Sequence, residues 1–168
     1  MVWLALTVSA RALALDTVYQ SPSEFLDQYL PGCRQQALWL SAEFKSEIER
    51  LVEHPFPGLR VRYCRLDDRT AWILDEIGKT EPITSGIVVD RGRVERVRVL
   101  VFRESRGSEV HRGAFLTQYE DAGLREDNAL DRPIDGITGA TLSVYALNRQ
   151  VKLALLLDRL AREKSGDG

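Results

Sequence analysis

The chain has 168 residues, 44% of them hydrophobic and 29% charged, the balance of one globular domain able to bury a core without metal or disulfide staples. Its 23 basic and 25 acidic residues leave a formal net charge of −2, which lacks the basic excess of a general nucleic-acid binder, so no nucleic-acid partner is expected.

Residues 1–14, MVWLALTVSARALA, are apolar, too short to span a bilayer, and end in a small-x-small pattern at Ala12-Leu13-Ala14. A basic leading region is missing, so the segment reads as a truncated export signal, with an apolar first strand or helix as the alternative. Residues 15–162 read as a single domain and 163–168 as a polar, frayed tail.

Ser21-Pro22-Ser23-Glu24 starts a short helix, with Ser21 as cap and Glu24 closing a capping box, and Pro31-Gly32 stops it after Leu30. Residues 41–53 carry Phe44, Ile48 and Leu51 on one helical face, and His54 to Gly58 end that helix. From Leu59 the apolar period shortens to two. Residues 59–64, 70–77, 83–89 and 94–102 read as strands, the last two joined by an Asp90-Arg91-Gly92 hairpin turn. Residues 109–121 are expected to be helical, and a last helix is expected from about Thr138 to Arg162. Its apolar positions, Leu142 among them, read as core, as do Trp39 and Trp72. The sum is an α+β fold: an antiparallel sheet of about four or more strands, helices packed on it, and a long C-terminal helix following a loop.

Cys33 and Cys64 show neither a CxxC nor a zinc-ligand spacing. They form one disulfide in an oxidising compartment or stand as two unrelated thiols, and the lack of pattern favours two thiols. His54 and His111 read as surface or loop residues, and no metal site is expected.

One segment carries chemistry: Asp135-Gly136-Ile137-Thr138-Gly139-Ala140-Thr141, at the loop-to-helix junction. With Thr138 as N-cap, Gly139, Ala140 and Thr141 form the first turn, where unpartnered N–H groups and the positive dipole end suit a phosphate. Gly139 and Ala140 are small enough for a bulky ligand to approach, and Gly136 frees the loop. Physics alone describes a capped turn compatible with a phosphate and does not name the ligand.

The segment resembles the flavinylation motif Asp-x-x-(Ser/Thr)-Gly-Ala-Thr of the FMN-binding domain family. That domain occurs in covalent-flavin subunits of sodium-translocating NADH:quinone reductase and the Rnf complex, and in small exported flavoproteins. Asp135, Thr138, Gly139, Ala140 and Thr141 match its specified positions, and Leu142-Ser143 continue the likeness. The resemblance implies covalent FMN on Thr141 through a phosphoester, installed by an exported flavin transferase that uses FAD with Mg²⁺ and reads Asp135 and Thr138. Upstream, Glu104-Ser105-Arg106-Gly107 resembles the family's Glu-Thr-Pro-Gly-x-Gly-like loop that wraps the flavin, and Phe115 and Gln118 follow it. Ser105 and Arg106 stand in place of Thr-Pro, and Glu109 replaces the second glycine. On this basis Glu104, Ser105, Gly107, Gly136 and Leu142 join the motif residues as flavin contacts. The likeness covers residues 83–157. Arg103, Arg106 and Arg112 offer a cationic surround for flavin or partner, or a solvated surface.

No nucleophile-base-acid set is visible, so the expected role is an exported, periplasmic or extracytoplasmic electron carrier. It would relay electrons between redox partners such as a membrane reductase or cytochrome. The alternative is a non-catalytic flavin-binding module that regulates or assembles a membrane redox complex.

Overall fold

The computed structural model describes residues 16–166, so the expected export segment lies outside the described residues. The elements in chain order are β1 (Thr17–Val18), α1 (Pro22–Tyr29), β2 (Arg34–Trp39), α2 (Ala42–Val52), β3 (Arg60–Leu66), β4 (Arg69–Ile77), β5 (Pro82–Asp90) and β6 (Arg93–Phe102). A short α3 (Gly113–Leu116) lies between two 3₁₀ turns, and α4 (Thr141–Gly166) ends the fold. The strands form one six-stranded sheet ordered β1-β6-β5-β4-β3-β2, every pairing antiparallel. No helix of the described residues is long and apolar enough to cross a membrane.

The α+β architecture contains the four expected strands, as β3 to β6. Two strands escaped that reading: β1, with only two residues, and β2, whose Arg-Gln-Gln-Ala-Leu-Trp buries only Leu38. An edge strand with one buried position has no alternation to detect. That also corrects the placement of Trp39, which points away from the core next to Leu38 and is 55% exposed, with the Arg60 guanidinium 5.3 Å from its ring centroid. Trp72 is fully buried as expected and stacks on Tyr63 at 4.6 Å.

The sheet is covered on both faces. The larger core lies under α2 and α4 and includes Trp72, Ile83, Ile87, Leu147, Val151 and Leu156. A smaller core on the opposite face joins Phe25 and Leu30 to Cys64, Ala71, Val88 and Leu100. Helix α1 reaches that face through the expected capping box, Glu24 N–H donating to Ser21 Oγ at 3.2 Å and Ser21 N–H to Glu24 Oε2 at 2.8 Å. Gly86 of the central strand leaves room for the Phe25 ring, since a Cβ there would sit 2.7 Å from Phe25 Cε1. Gly86→Ala should therefore destabilise the fold by about 1–3 kcal/mol in urea titration, and an unchanged midpoint would show that Phe25 moves aside freely.

Cys33 and Cys64 are bonded, with Cα atoms 5.6 Å apart, which corrects the expectation of two unrelated thiols. The pairing became visible only with β2, whose register sets Gln35 opposite Cys64 and so brings Cys33 beside it.

Buried polar groups register α4 on the sheet. The Gln150 amide donates to Leu74 O and Ile83 O at 2.8 and 2.7 Å, and Ser85 Oγ donates to Gln150 Oε1 at 2.8 Å. Further along, Asp158, fully buried, accepts from Thr70 Oγ1 at 2.7 Å and Arg162 Nε at 2.8 Å. Each group is satisfied, which burial demands.

Two helical expectations need correction. Residues 109–121 form Ser108–His111 and Thr117–Tyr119 as 3₁₀ turns around the four-residue α3, because Arg112 turns extended at φ −65°, ψ 132° between them. Helix α4 begins at Thr141 and runs to Gly166, starting later and ending later than its apolar pattern implied.

Candidate functional site

Thr141 is the first residue of α4 and is exposed. The chain enters that helix through a tight turn in which Ala140 N–H donates to Ile137 O at 2.9 Å and Gly139 sits at φ +82°. A left-handed residue at the third position of such a turn is where glycine is needed. Ala140 is buried at 3% exposure, and its carbonyl accepts the first helical bond, from Val144 N–H at 3.0 Å. Ala140 therefore occupies the cap position, and Thr138 sits one turn earlier in the β-turn, a correction to its expected role as N-cap. The reason is local: a left-handed Gly139 cannot belong to a right-handed helix, so the helix waits until Thr141.

The correction strengthens the site. Ala140 brings no side-chain oxygen, so the first N–H groups of α4 are left without the usual capping acceptor. The space around Gly136 and Gly139 is open, with no heavy atom within 4 Å of a Cβ built on either. Free donors at a positive helix end, an exposed hydroxyl and open backbone fit a phosphate-bearing cofactor.

Two other segments meet this helix start. Gly107, at φ +88°, packs so closely that a Cβ there would overlap Ser143 Oγ and lie 3.4 Å from Ala140 Cβ. This brings the 104–108 loop against the motif, and Ser105 and Arg106 lie exposed beside it. On the other side, Gln118 Oε1 accepts from Asp135 N–H at 2.8 Å and pins the approach to the turn. Tyr119, fully buried, donates to Asn148 Oδ1 of α4 at 2.6 Å, and that burial pushes its phenol pKa up. Asp135, Gly136, Thr138 and Gly139 are all exposed.

Glu104 has a task inside the protein. Its Oε1 accepts from the N–H groups of Thr80 at 2.6 Å, Glu81 at 2.9 Å and Lys79, so it ties the β4–β5 connection to the loop. Burial raises its pKa, but the three backbone donors outweigh that and hold it below the ordinary 4.5. A folded pKa below the unfolded one means the stabilisation is present above pH 4.5 and fades as pH falls through the lower folded value. Glu104→Ala should cost about 1–2 kcal/mol at neutral pH, and the gap should narrow in acid. Denaturation curves at two pH values check this, and a pH-independent gap would refute the charged-acceptor account. Arg103 is likewise occupied, donating to Asp16 Oδ2, Pro82 O and Thr84 Oγ1 at 3.2, 3.1 and 2.9 Å. Arg106 and Arg112 are exposed, and they are the two arginines of that trio left facing solvent.

Leu142 did not join the core. It is 47% exposed, whereas Val144 and Leu147 beside it and Leu153, Leu156 and Leu160 further along α4 are buried. Tyr145 was missed altogether. It is 54% exposed and lies one turn beyond Thr141. The i to i+4 spacing from the motif threonine was the available signal.

An open, uncapped helix start beside a glycine loop offers a place where a phosphate-bearing cofactor fits. The model of the FMN-binding domain family matches residues 78–156, just under half of the chain, and that segment is similar to a domain that binds FMN. The match begins at Gly78, in the connection that Glu104 holds, somewhat before the expected Ile83. Comparisons with curated proteins and with solved structures give no match.

Proposed function

We propose that this chain is an exported electron-transfer flavoprotein carrying FMN on Thr141 through a phosphoester. The observation that carries the reading is the exposed Thr141 hydroxyl at an uncapped helix start, inside a complete attachment motif. FMN takes up one or two electrons and can link partners of different electron number. The chain's own part is to hold the phosphate at the first turn of α4 and to keep the ring beside the 104–108 loop.

A covalent bond suits a carrier outside the cytoplasm, where lost flavin is not easily replaced. The Cys33–Cys64 disulfide favours the same periplasmic or extracytoplasmic setting, since such bonds persist in oxidising compartments. Maturation then needs a flavin transferase with FAD and Mg²⁺, which reads Asp135 and Thr138 on the exposed approach to the turn. The electron partners are a membrane reductase or cytochrome.

Co-expression of the full chain with a flavin transferase tests the reading. Intact mass should rise by one FMN phosphoester and the band should fluoresce in the gel. Unmodified Thr141 under those conditions sinks it. Redox titration against membrane donors then separates a carrier from a regulatory or assembly module, whose flavin would stay oxidised.

A further inference from the structure

We infer that the free edge of β2 pairs with β2 of a second copy of this chain, antiparallel and about a two-fold axis at Ala37, so that one sheet runs through both copies. This pairing is independent of the flavin reading above.

The two edges of the sheet differ. At the β6 edge, β1 pairs with Val101 and Phe102, Tyr19 N–H donates to Leu100 O at 2.8 Å, and Val94 bonds Asp121 N–H and Ala122 O at 2.7 and 2.9 Å. Strand β2 has β3 on one side and no strand on the other. Leu40 N–H donates to Leu59 O at 3.0 Å, which sets the alternation of the ladder. Arg34, Gln36 and Leu38 therefore turn their backbone groups to β3, while Gln35, Ala37 and Trp39 turn theirs outward. Of these outward groups, Trp39 O alone has a side-chain partner among the described residues, Lys164 Nζ at 3.5 Å. The strand has neither the proline nor the bulge that blunts many sheet edges. A two-fold axis at Ala37 sets Gln35 opposite the partner's Trp39 and uses every outward residue, each facing pair exchanging both N–H···O=C bonds.

Charge follows the same symmetry. Arg34 lies on the face of the sheet where Leu38 is buried, opposite Arg65 of β3. At the other end of β2, a cleft lined by Trp39, Leu40, Phe44 and Leu160 carries Glu43 and Glu163. Arg34, Glu43 and Glu163 are exposed and form no ion pair among the described residues. The two-fold axis puts Arg34 opposite the partner's Leu40, one strand spacing of about 4.8 Å away, beside the partner's Glu43 and the partner's Glu163. The same contact recurs on the other side of the axis, as an isologous interface requires. An antiparallel copy thus joins basic end to acidic end, which a foreign strand of one charge sign would not do. On the opposite face, Trp39, 55% exposed in the single chain, comes beside the partner's Gln35.

Sedimentation velocity of the full chain, from micromolar to near-millimolar concentration, tests the pairing. A monomer–dimer equilibrium is expected, with the mass at high concentration approaching twice 19.0 kDa. Ala37→Pro removes an outward N–H at the axis and no bond to β3, so it should raise the dimer dissociation constant about ten-fold or more. Should that variant fail to fold, the charges decide. Arg34→Glu alters one exposed side chain and should weaken the dimer by about ten-fold through repulsion from the partner's Glu43 and the partner's Glu163. Adding Glu43→Arg to Arg34→Glu should restore most of the loss. A dimer as tight in Arg34→Glu as in the parent chain, or a double variant no tighter than Arg34→Glu, overturns the pairing. A chain that stays monomeric throughout also overturns it, and cosedimentation of that monomer with phosphatidylglycerol vesicles would give the edge to a membrane surface instead.

Discussion

Thr141→Ala should abolish attached flavin completely while leaving stability within about 0.5 kcal/mol of the parent chain. The two halves of that expectation have separate physical grounds. The hydroxyl is the only group on this residue able to take the phosphoryl group, so without it there is no phosphoester. The residue is exposed and the helix cap is Ala140, so no structural hydrogen bond is lost in the change. Intact mass and a thermal melt measure both. Flavin retained on the variant would move the attachment elsewhere. A large loss of stability would mean that Thr141 does structural work that its position does not suggest. Thr138→Ala supplies a contrast, because Thr138 lies in the β-turn and not at the cap. It should reduce modification through transferase recognition without removing the acceptor hydroxyl.

Breaking the Cys33–Cys64 bond should be the most damaging change to the fold. The bond closes a loop of 31 residues, and constraining the unfolded chain over that length is worth about 3–4 kcal/mol. For a chain of this size that lowers Tm by roughly 6–15 °C. Cys64 is 3% exposed and forms part of the smaller core, so reduction also loosens the face that α1 covers. Melting curves with and without reductant check this, and a Tm insensitive to reductant would refute it. The proposed flavin site lies on other elements, α4 and the 104–108 loop. Partial modification of Thr141 should therefore survive reduction below the lowered Tm.

The same contrast runs through what could be read in the chain. Strand β3 was legible from its alternation and β4 to β6 as short apolar runs bounded by turns, and the β5–β6 turn was legible from Asp90-Arg91-Gly92, where Arg91 and Gly92 take φ of 47° and 76°. The capping box of α1 was legible because its two partners are three residues apart. Strand β2 was not, since an edge strand draws its stability from its neighbour's backbone rather than from its own pattern. With β2 unread, Trp39 was misplaced and the disulfide stayed undecided. Glu104 was visible as a residue of interest, but its partners at Lys79, Thr80 and Glu81 are distant in sequence and no local rule names them.

Sequence by itself determined the α+β class and, through the motif ending at Thr141, the likeness to the FMN-binding domain family. These depend on short-range order: periodicity along strands and helices, and seven consecutive residues that match one family's motif. Tertiary structure alone decided that α4 starts at Thr141 rather than Thr138, because a left-handed Gly139 and a buried Ala140 settle the entry to the helix. It also decided that Gly107 meets the motif, that Cys33 meets Cys64, and that Leu142 and Tyr145 remain uncovered. The contacts of Gly107 and of Cys33, like the missing cover over Leu142 and Tyr145, involve segments far apart in the chain, and only packing of the sheet against its helices brings such segments together.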